Sequence, residues 1–194
     1  MPAAVAIFLR AFADNVRLVY GDDPKPDAMV DVWSFARASE PGGFLAARED
    51  GVLVGYVLLS SSVKRLQRSA LLSGRPLVWA WRALLGRYGI RWGALFKLLW
   101  NKVLFVGNEN RYRTRGDAQL LNIAVAESAR GRGVAKALVS AGLAYLHGVG
   151  VTEIRLEVRP DNLPAISAYR QTGFVERGRT RDIHGEWLVM TATP

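Results

Sequence analysis

The chain has 194 residues, 50% of them apolar, which suits one domain with a sizeable core. It holds no cysteine and only two histidines, which excludes disulfides and thiolate metal sites, and no metal is expected. The net charge is +9, and the whole excess lies between Asp50 and Glu109, where nine cations meet no acid.

"AAVAIFLRAFADNVRLVYG" has helical spacing and stops at Gly21. "DDPKP" is a turn, and "DAMVDVWSFARAS" predicts a second helix with Asp27 as its N-cap. After the "PGG" break, "FLAARED" and "GVLVGYVLLSSS" read as two strands joined by a tight turn at Glu49–Gly51. Residues 61–115 read as an insertion of two or three helices, broken near Ser73-Gly74 and Gly86–Gly89. "AQLLNIAVA" is a strand, 132–147 a helix, "EIRLEV" a strand, and "NLPAISAYRQT" a helix capped near Asp161 or Asn162 and ended by Gly173. "FVERGRT" and "EWLVMTA" pair as a terminal hairpin around "DIHG". This order predicts a single mixed α/β domain over 1–194. The N-terminus lacks the layout of a signal peptide, and no charge-free apolar run approaches the ~20 residues of a spanning helix, so a cytoplasmic protein is expected.

The chemistry concentrates in "ARGRGVAKAL", residues 129–138, between a strand and a helix. A helix start exposes unpaired backbone N–H groups and partial positive charge. Glycines let an anion approach that backbone, and Arg130, Arg132 and Lys136 add attraction. The turn suits a pyrophosphate, although glycines at such a turn are often purely structural. It is not a P-loop, because the Gly-Lys-Ser/Thr ending is missing, and it is not a dinucleotide fingerprint, because position 136 is neither Gly nor Ala.

Residues 118–192 resemble the GCN5-related N-acetyltransferase (GNAT) superfamily. Arg130-Gly131-Arg132-Gly133-Val134-Ala135 resembles that family's Arg/Gln-x-x-Gly-x-Gly/Ala signature, and Asn162…Ala165…Tyr169…Gly173-Phe174 resembles its second one. The resemblance is fair over 43–60 and absent over 61–115. It implies a mixed, mostly antiparallel sheet flanked by helices, with a helical insertion between the third and fourth family strands. It also implies acetyl-CoA as co-substrate. The amides of about Gly131 to Lys136 would hold its pyrophosphate, and the backbone of Ile123 and Val125 would pair with its pantetheine arm. That arm would lie in a splay between "LLNIAV" and "EIRLEV". Asn162 would touch the arm, or serve only as a helix cap. Two departures stand out. The usual first strand is missing, so either Met1–Ala4 is its vestige or another copy fills the edge as a homodimer. The insertion is also rare in the family.

Acyl transfer to an amine needs a base or water chain, a close approach, an oxyanion donor and an acid for the leaving thiolate. By the resemblance, Tyr169 takes the acid's place; as a bare residue it is a half-buried aromatic on a packed helix. No base stands out. Asn122 cannot be one, though its amide would orient a water. Asp117 and Glu109 precede that strand, and Glu127 reads as a turn residue. His184 reads as a surface histidine, and His147 as a helix-end residue.

Within the insertion, "IRWGALFKLLWNKVLF" puts Trp92, Leu95, Phe96, Leu99, Trp100, Val103 and Leu104 on one helical face, with Arg91, Lys97, Asn101 and Lys102 opposite. Four of the six tryptophans lie between 79 and 100. These features suit a packed cap over the acceptor cleft, or contact of 75–105 with an anionic membrane surface, which would hold the protein at the inner face of a membrane. Nucleic acid is not expected, because the aromatics sit inside apolar runs. The expectation is an acetyl-CoA-dependent N-acetyltransferase acting on a primary amine of a small, anionic acceptor such as a nucleotide-linked amino sugar. The alternatives are a long-chain N-acyltransferase at the membrane and a non-catalytic acyl-CoA-binding module.

Overall fold

A computed structural model describes residues 1–13, 16–17, 21, 24–89, 116–182 and 185–194. The elements run α1 (Pro2–Ala11), α2 (Asp27–Ser39), a short 3-10 turn (Pro41–Gly43), β1 (Phe44–Glu49), β2 (Val52–Ser60), α3 (Val63–Leu72), α4 (Arg75–Leu84), β3 (Ala118–Val125), a second 3-10 turn (Glu127–Ala129), α5 (Val134–Gly148), β4 (Ile154–Val158), α6 (Leu163–Gln171), β5 (Val175–Asp182) and β6 (Gly185–Ala192). The six strands form one sheet in the order β1-β2-β3-β4-β6-β5. Among the described strands only β3 and β4 run parallel, so the sheet is mixed and mostly antiparallel, as expected.

The β1–β2 hairpin turns on Asp50 and Gly51, at φ 48° and 79°. Two consecutive positive φ values make the primed turn that suits the twist of paired strands. From Val54 to Ser60, β2 is buried on both faces, as its nearly unbroken apolar run requires. Its side chains alternate. Val57 and Leu59 join a core with Leu138, Val139 and Leu146 of α5 and Ile166 and Tyr169 of α6. Tyr56 and Leu58 join a second core with Ala4 and Val5 of α1 and Met29 and Trp33 of α2. Each fully buried Val or Leu contributes about 1.5–3 kcal/mol, so the sheet is clamped from both sides.

Two local expectations change. Asp27 begins α2 as its first helical residue; Pro26 holds the cap position, and no side chain caps the helix. Met1–Ala4 is no vestigial strand, because helix begins at Pro2, whose fixed φ suits a first turn. β1 therefore lies at the edge of the described sheet.

Between β2 and β3, Ser62 caps α3 by accepting from the Arg65 N–H at 3.1 Å. Gly74 at φ 66° then turns the chain into α4. The break at Ser73-Gly74 falls where the sequence places it. The stretch 90–115, with the amphipathic face from Trp92 to Leu104, lies outside the described residues.

Candidate functional site

β3 and β4 pair only at Ala118–Ile154 and Gln119–Arg155 and then part. β3 stays bound to β2 throughout, from Gln119–Ser60 to Val125–Gly55. Between Leu120 and Asn122 the register against β2 skips a residue, placing a bulge at Leu121. A bulge bends its strand, which accounts for β3 leaving β4. The N–H of Ala126 donates to the Val54 carbonyl at 2.8 Å, towards β2. Alternate residues share an edge, so Ile123 and Val125 turn their backbone groups the other way, into the gap.

At the end of this gap, Ala129 is buried and Arg130 exposed, and the chain passes through Gly131 at φ 74° and Gly133 at φ 78°. A side chain at either position would be strained by the backbone, yet would meet no atom within 4 Å. The turn is held by its backbone path, and its outer side is open. Gly133 is the N-cap of α5 and supplies no side-chain acceptor, and the first turn of that helix holds no acid.

The second wall is α6. Asn162 caps it, its Oδ1 accepting from the Ala165 N–H at 3.3 Å. At its other end the Phe174 N–H donates to the Tyr169 carbonyl and the Gly173 N–H to that of Arg170. This is the paired helix end that needs a left-handed residue, and Gly173 supplies it at φ 91°. The Tyr169 and Phe174 rings meet at 5.7 Å. The Gly173-Phe174 pair is thus the lock that sets Tyr169.

Together these elements enclose a cleft of about 770 Å³. Of the sequence-predicted residues, Ile123, Val125, Arg130, Gly131, Gly133, Val134, Ala135, Lys136, Asn162 and Tyr169 line it. Arg132 does not. Its guanidinium forks onto the Glu49 carboxylate at 2.8 and 3.0 Å, tying the glycine turn to the β1–β2 hairpin. Tyr169 is 6% exposed, and burial pushes its phenol up to about 12. Among the described residues nothing hydrogen-bonds its hydroxyl, and the raised phenol stays protonated at neutral pH.

None of the described residues lining the cleft is a carboxylate or a histidine. Asp117 is occupied elsewhere: its Oδ2 accepts from Ser62 Oγ at 3.0 Å and the Lys64 N–H at 2.6 Å, at the start of α3. Glu127 is exposed in its turn. His147 Nδ1 lies 3.2 Å from the Pro194 carbonyl. Glu109 and His184 lie outside the described residues.

Two polar groups escaped the sequence reading. Tyr56, fully buried, donates to Asn122 Oδ1 at 2.5 Å, and burial pushes its phenol strongly up. The bond fixes the Asn122 amide and leaves Nδ2 as a donor. Glu40 accepts from Ser60 Oγ at 2.9 Å, the Ser61 N–H at 2.9 Å and the Tyr145 hydroxyl at 2.9 Å, joining α2, β2 and α5. Burial pushes the Glu40 carboxyl up, but these bonds, led by those from Ser61, outweigh it, and the carboxyl sits below its ordinary value. A "GYV" in a strand and a glutamate before "PGG" carry no signal for partners so far along the chain.

The model of the Acetyltransferase (GNAT) family matches residues 9–174. A mycothiol acetyltransferase of Saccharomonospora viridis is 40% identical over 75 residues, 39% of this chain and 24% of the relative. One of a Nocardioides species is 46% identical over 52 residues, 27% of this chain and 18% of the relative. The matches thus span a quarter or less of these curated relatives' length. Among solved structures, a GCN5-related N-acetyltransferase from Kribbella flavida superposes with a TM-score of 0.57 at 18% identity, over 100% of this chain and 91% of that one. A putative acetyltransferase from Salmonella typhimurium, solved with its cofactor acetyl-CoA, superposes with a TM-score of 0.56 at 13% identity, over 98% and 87%. At such identities these two share the fold.

Proposed function

The chain belongs to the acetyltransferase (GNAT) family, and from that membership and the cleft we propose an acetyl-CoA-dependent N-acetyltransferase acting on a primary amine of a small acceptor. The observation that carries this reading is the coincidence of two features. One strand of the sheet turns unpaired backbone into a gap, and the same gap ends at a glycine-turned helix start with no side-chain cap and no acid.

The residues present fit the co-substrate. Space is open beside Gly131 and Gly133, and there the amides of about Gly131 to Lys136 would hold two phosphates, aided by the helix dipole. Arg130 and Lys136, both lining the cleft, add charge. Ile123 and Val125 bind the amides of the pantetheine arm as a neighbouring strand would. Arg132 acts indirectly, steadying the turn through Glu49. When bound, acetyl-CoA supplies the thioester carbonyl. Tyr169 then holds a proton on a phenol oxygen at the cleft and gives it to the departing sulfur, while Phe174 and Gly173 fix its position. A backbone N–H of β3 facing the gap stabilises the oxyanion. Asn162 caps α6 and touches the arm from that cap. With no carboxylate or histidine among the described lining residues, the amine proton leaves through water, which the fixed Asn122 amide orients.

The name shared by the two sequence relatives supports acetyl transfer as the reaction. The acid-free stretch 51–108 favours an anionic acceptor, and a nucleotide-linked amino sugar is our choice within that class. Thiol release from acetyl-CoA, measured across simple amines, amino sugars, nucleotide-linked amino sugars and peptides, tests this. Amine-dependent release that is fastest with the anionic small amines is the expected result. Binding of acetyl-CoA without amine-dependent release would leave a binding module, and faster release from palmitoyl-CoA would reverse the donor assignment.

A further inference from the structure

Among the described residues, twelve large apolar side chains are exposed, and seven of them fall within residues 71–85. The α3–α4 hairpin explains where they point. The inner side of α4 is taken by α2: Trp79 meets the Phe35 ring edge-on at 5.7 Å, and Arg82 and Tyr88 bond Asp31 at 2.5 and 2.6 Å. Lys25 Nζ bonds the Gly86 carbonyl at 3.1 Å, and Arg75 lies over Phe35. These contacts fix the rotation of α4 and leave Leu77, Trp81 and Leu84, spaced i, i+4 and i+7, in one outward row, with Trp81 63% exposed. Val78 and Leu85 widen it.

The exposed row of α3 is different. Lys64 and Arg68 are exposed, and the same row ends in Leu71 and Leu72, at the turn into α4. Among the described residues neither cation meets a carboxylate. Residues 61–89 hold six cations and no acid. The hairpin therefore exposes a cationic row on α3 that ends in Leu71 and Leu72 at the turn, and an apolar row on α4 that begins just after it. A monomer of this size does not usually leave so concentrated an apolar patch in water.

We propose that this outer face of the α3–α4 hairpin docks on an anionic lipid surface, a role independent of the acetyl-transfer reading. The charge complementarity selects that partner: cations level with anionic headgroups, beside an apolar row that enters the interface. The proposed contact is peripheral, and no helix of the described residues is long and apolar enough to cross a membrane. The proposal uses only Lys64 to Leu85. The rest of the basic stretch, 90–115, lies outside the described residues.

Co-sedimentation of the full chain with vesicles tests it, comparing phosphatidylcholine with phosphatidylcholine containing about a third phosphatidylglycerol. The unaltered protein should bind the anionic vesicles at low salt and keep a weaker residual in high salt, since screening leaves apolar contact in place. Lys64→Glu with Arg68→Glu should weaken low-salt binding at least roughly tenfold. Leu77→Glu with Trp81→Glu should abolish the high-salt residual. All four sites are exposed, so circular dichroism should show folded proteins. Three results would overturn the proposal: no binding to anionic vesicles at low salt, binding unchanged in both double variants, or a dimer in sedimentation velocity that Trp81→Glu dissolves, which would assign the face to a second copy.

Discussion

The N-termini of α5 and α6 open on the same cleft and are built in opposite ways. At α6 the chain satisfies its own orphan donors: Asn162 Oδ1 accepts from the Ala165 N–H, and Pro164 has no N–H. At α5 the cap is Gly133, with no side chain, and the first turn carries Lys136 and no acid. A cation near the positive end of a helix is unfavourable by about 0.3–1 kcal/mol. The two starts differ in what completes them. α6 is complete as folded, whereas in the proposed reading α5 would be completed by an anion that accepts its N–H groups and neutralises Lys136 together.

The largest expected effect comes from filling the open start. Gly133→Glu should reduce acetyl-CoA affinity at least roughly a hundredfold in calorimetry, since it would set a carboxylate where the proposed site takes phosphate. The positive φ costs about 1–3 kcal/mol in stability, but no atom lies within 4 Å of the added Cβ, so a folded protein is expected by circular dichroism.

Next in size is the residue that α6 carries. Tyr169→Phe should lower kcat roughly ten- to a thousandfold, with KM for acetyl-CoA unchanged. Its hydroxyl has no bond among the described residues and its ring packs on Phe174, so melting should barely move. A phenol pushed up to about 12 by burial stays protonated throughout the neutral range, and the rate should show no alkaline decline from this group below pH ~10.

Glu40 probes α5 from its far side, through Tyr145. Glu40→Gln should cost about 1–3 kcal/mol at neutral pH, because it weakens several bonds to a part-buried carboxylate. The folded carboxyl lies below its ordinary value, so its contribution is present above the ordinary glutamate range and fades as pH falls through the lowered one. Denaturant titrations should therefore show a flatter acid dependence in the variant, while acetyl-CoA affinity stays near that of the unaltered protein. The smallest effect is expected at the completed start. Asn162→Ala should cost about 1 kcal/mol of stability and Asn162→Asp much less, with acetyl-CoA affinity changing less than about tenfold in either.

How much of this was legible follows from the range of each interaction. Gly131, Gly133 and Gly173 could be read because a turn or helix end is a local demand of the backbone, and the structure uses all three at positive φ. Asn162 as a cap is equally local. The splay was legible only through the family resemblance, since the break after Gln119 needs β4, more than thirty residues away. The partners of Asp117 and Arg132 were hidden for the same reason. A carboxylate before a strand gives no hint that it will cap a helix start at Lys64, nor a loop arginine that it will reach Glu49. Asp27 reads as a cap because a carboxylate favours a helix start, yet Pro26 takes the cap position and Asp27 becomes the first helical residue.

The central claim is that the N-terminus of α5 holds the pyrophosphate. The most direct measurement is calorimetric affinity for acetyl-CoA and for S-acetylpantetheine, which lacks it, on the unaltered protein and on Gly133→Glu. The account predicts that the unaltered protein prefers acetyl-CoA by at least roughly a hundredfold and that the preference collapses in the variant. Equal affinity for the two ligands, or a preference that survives Gly133→Glu, would contradict it.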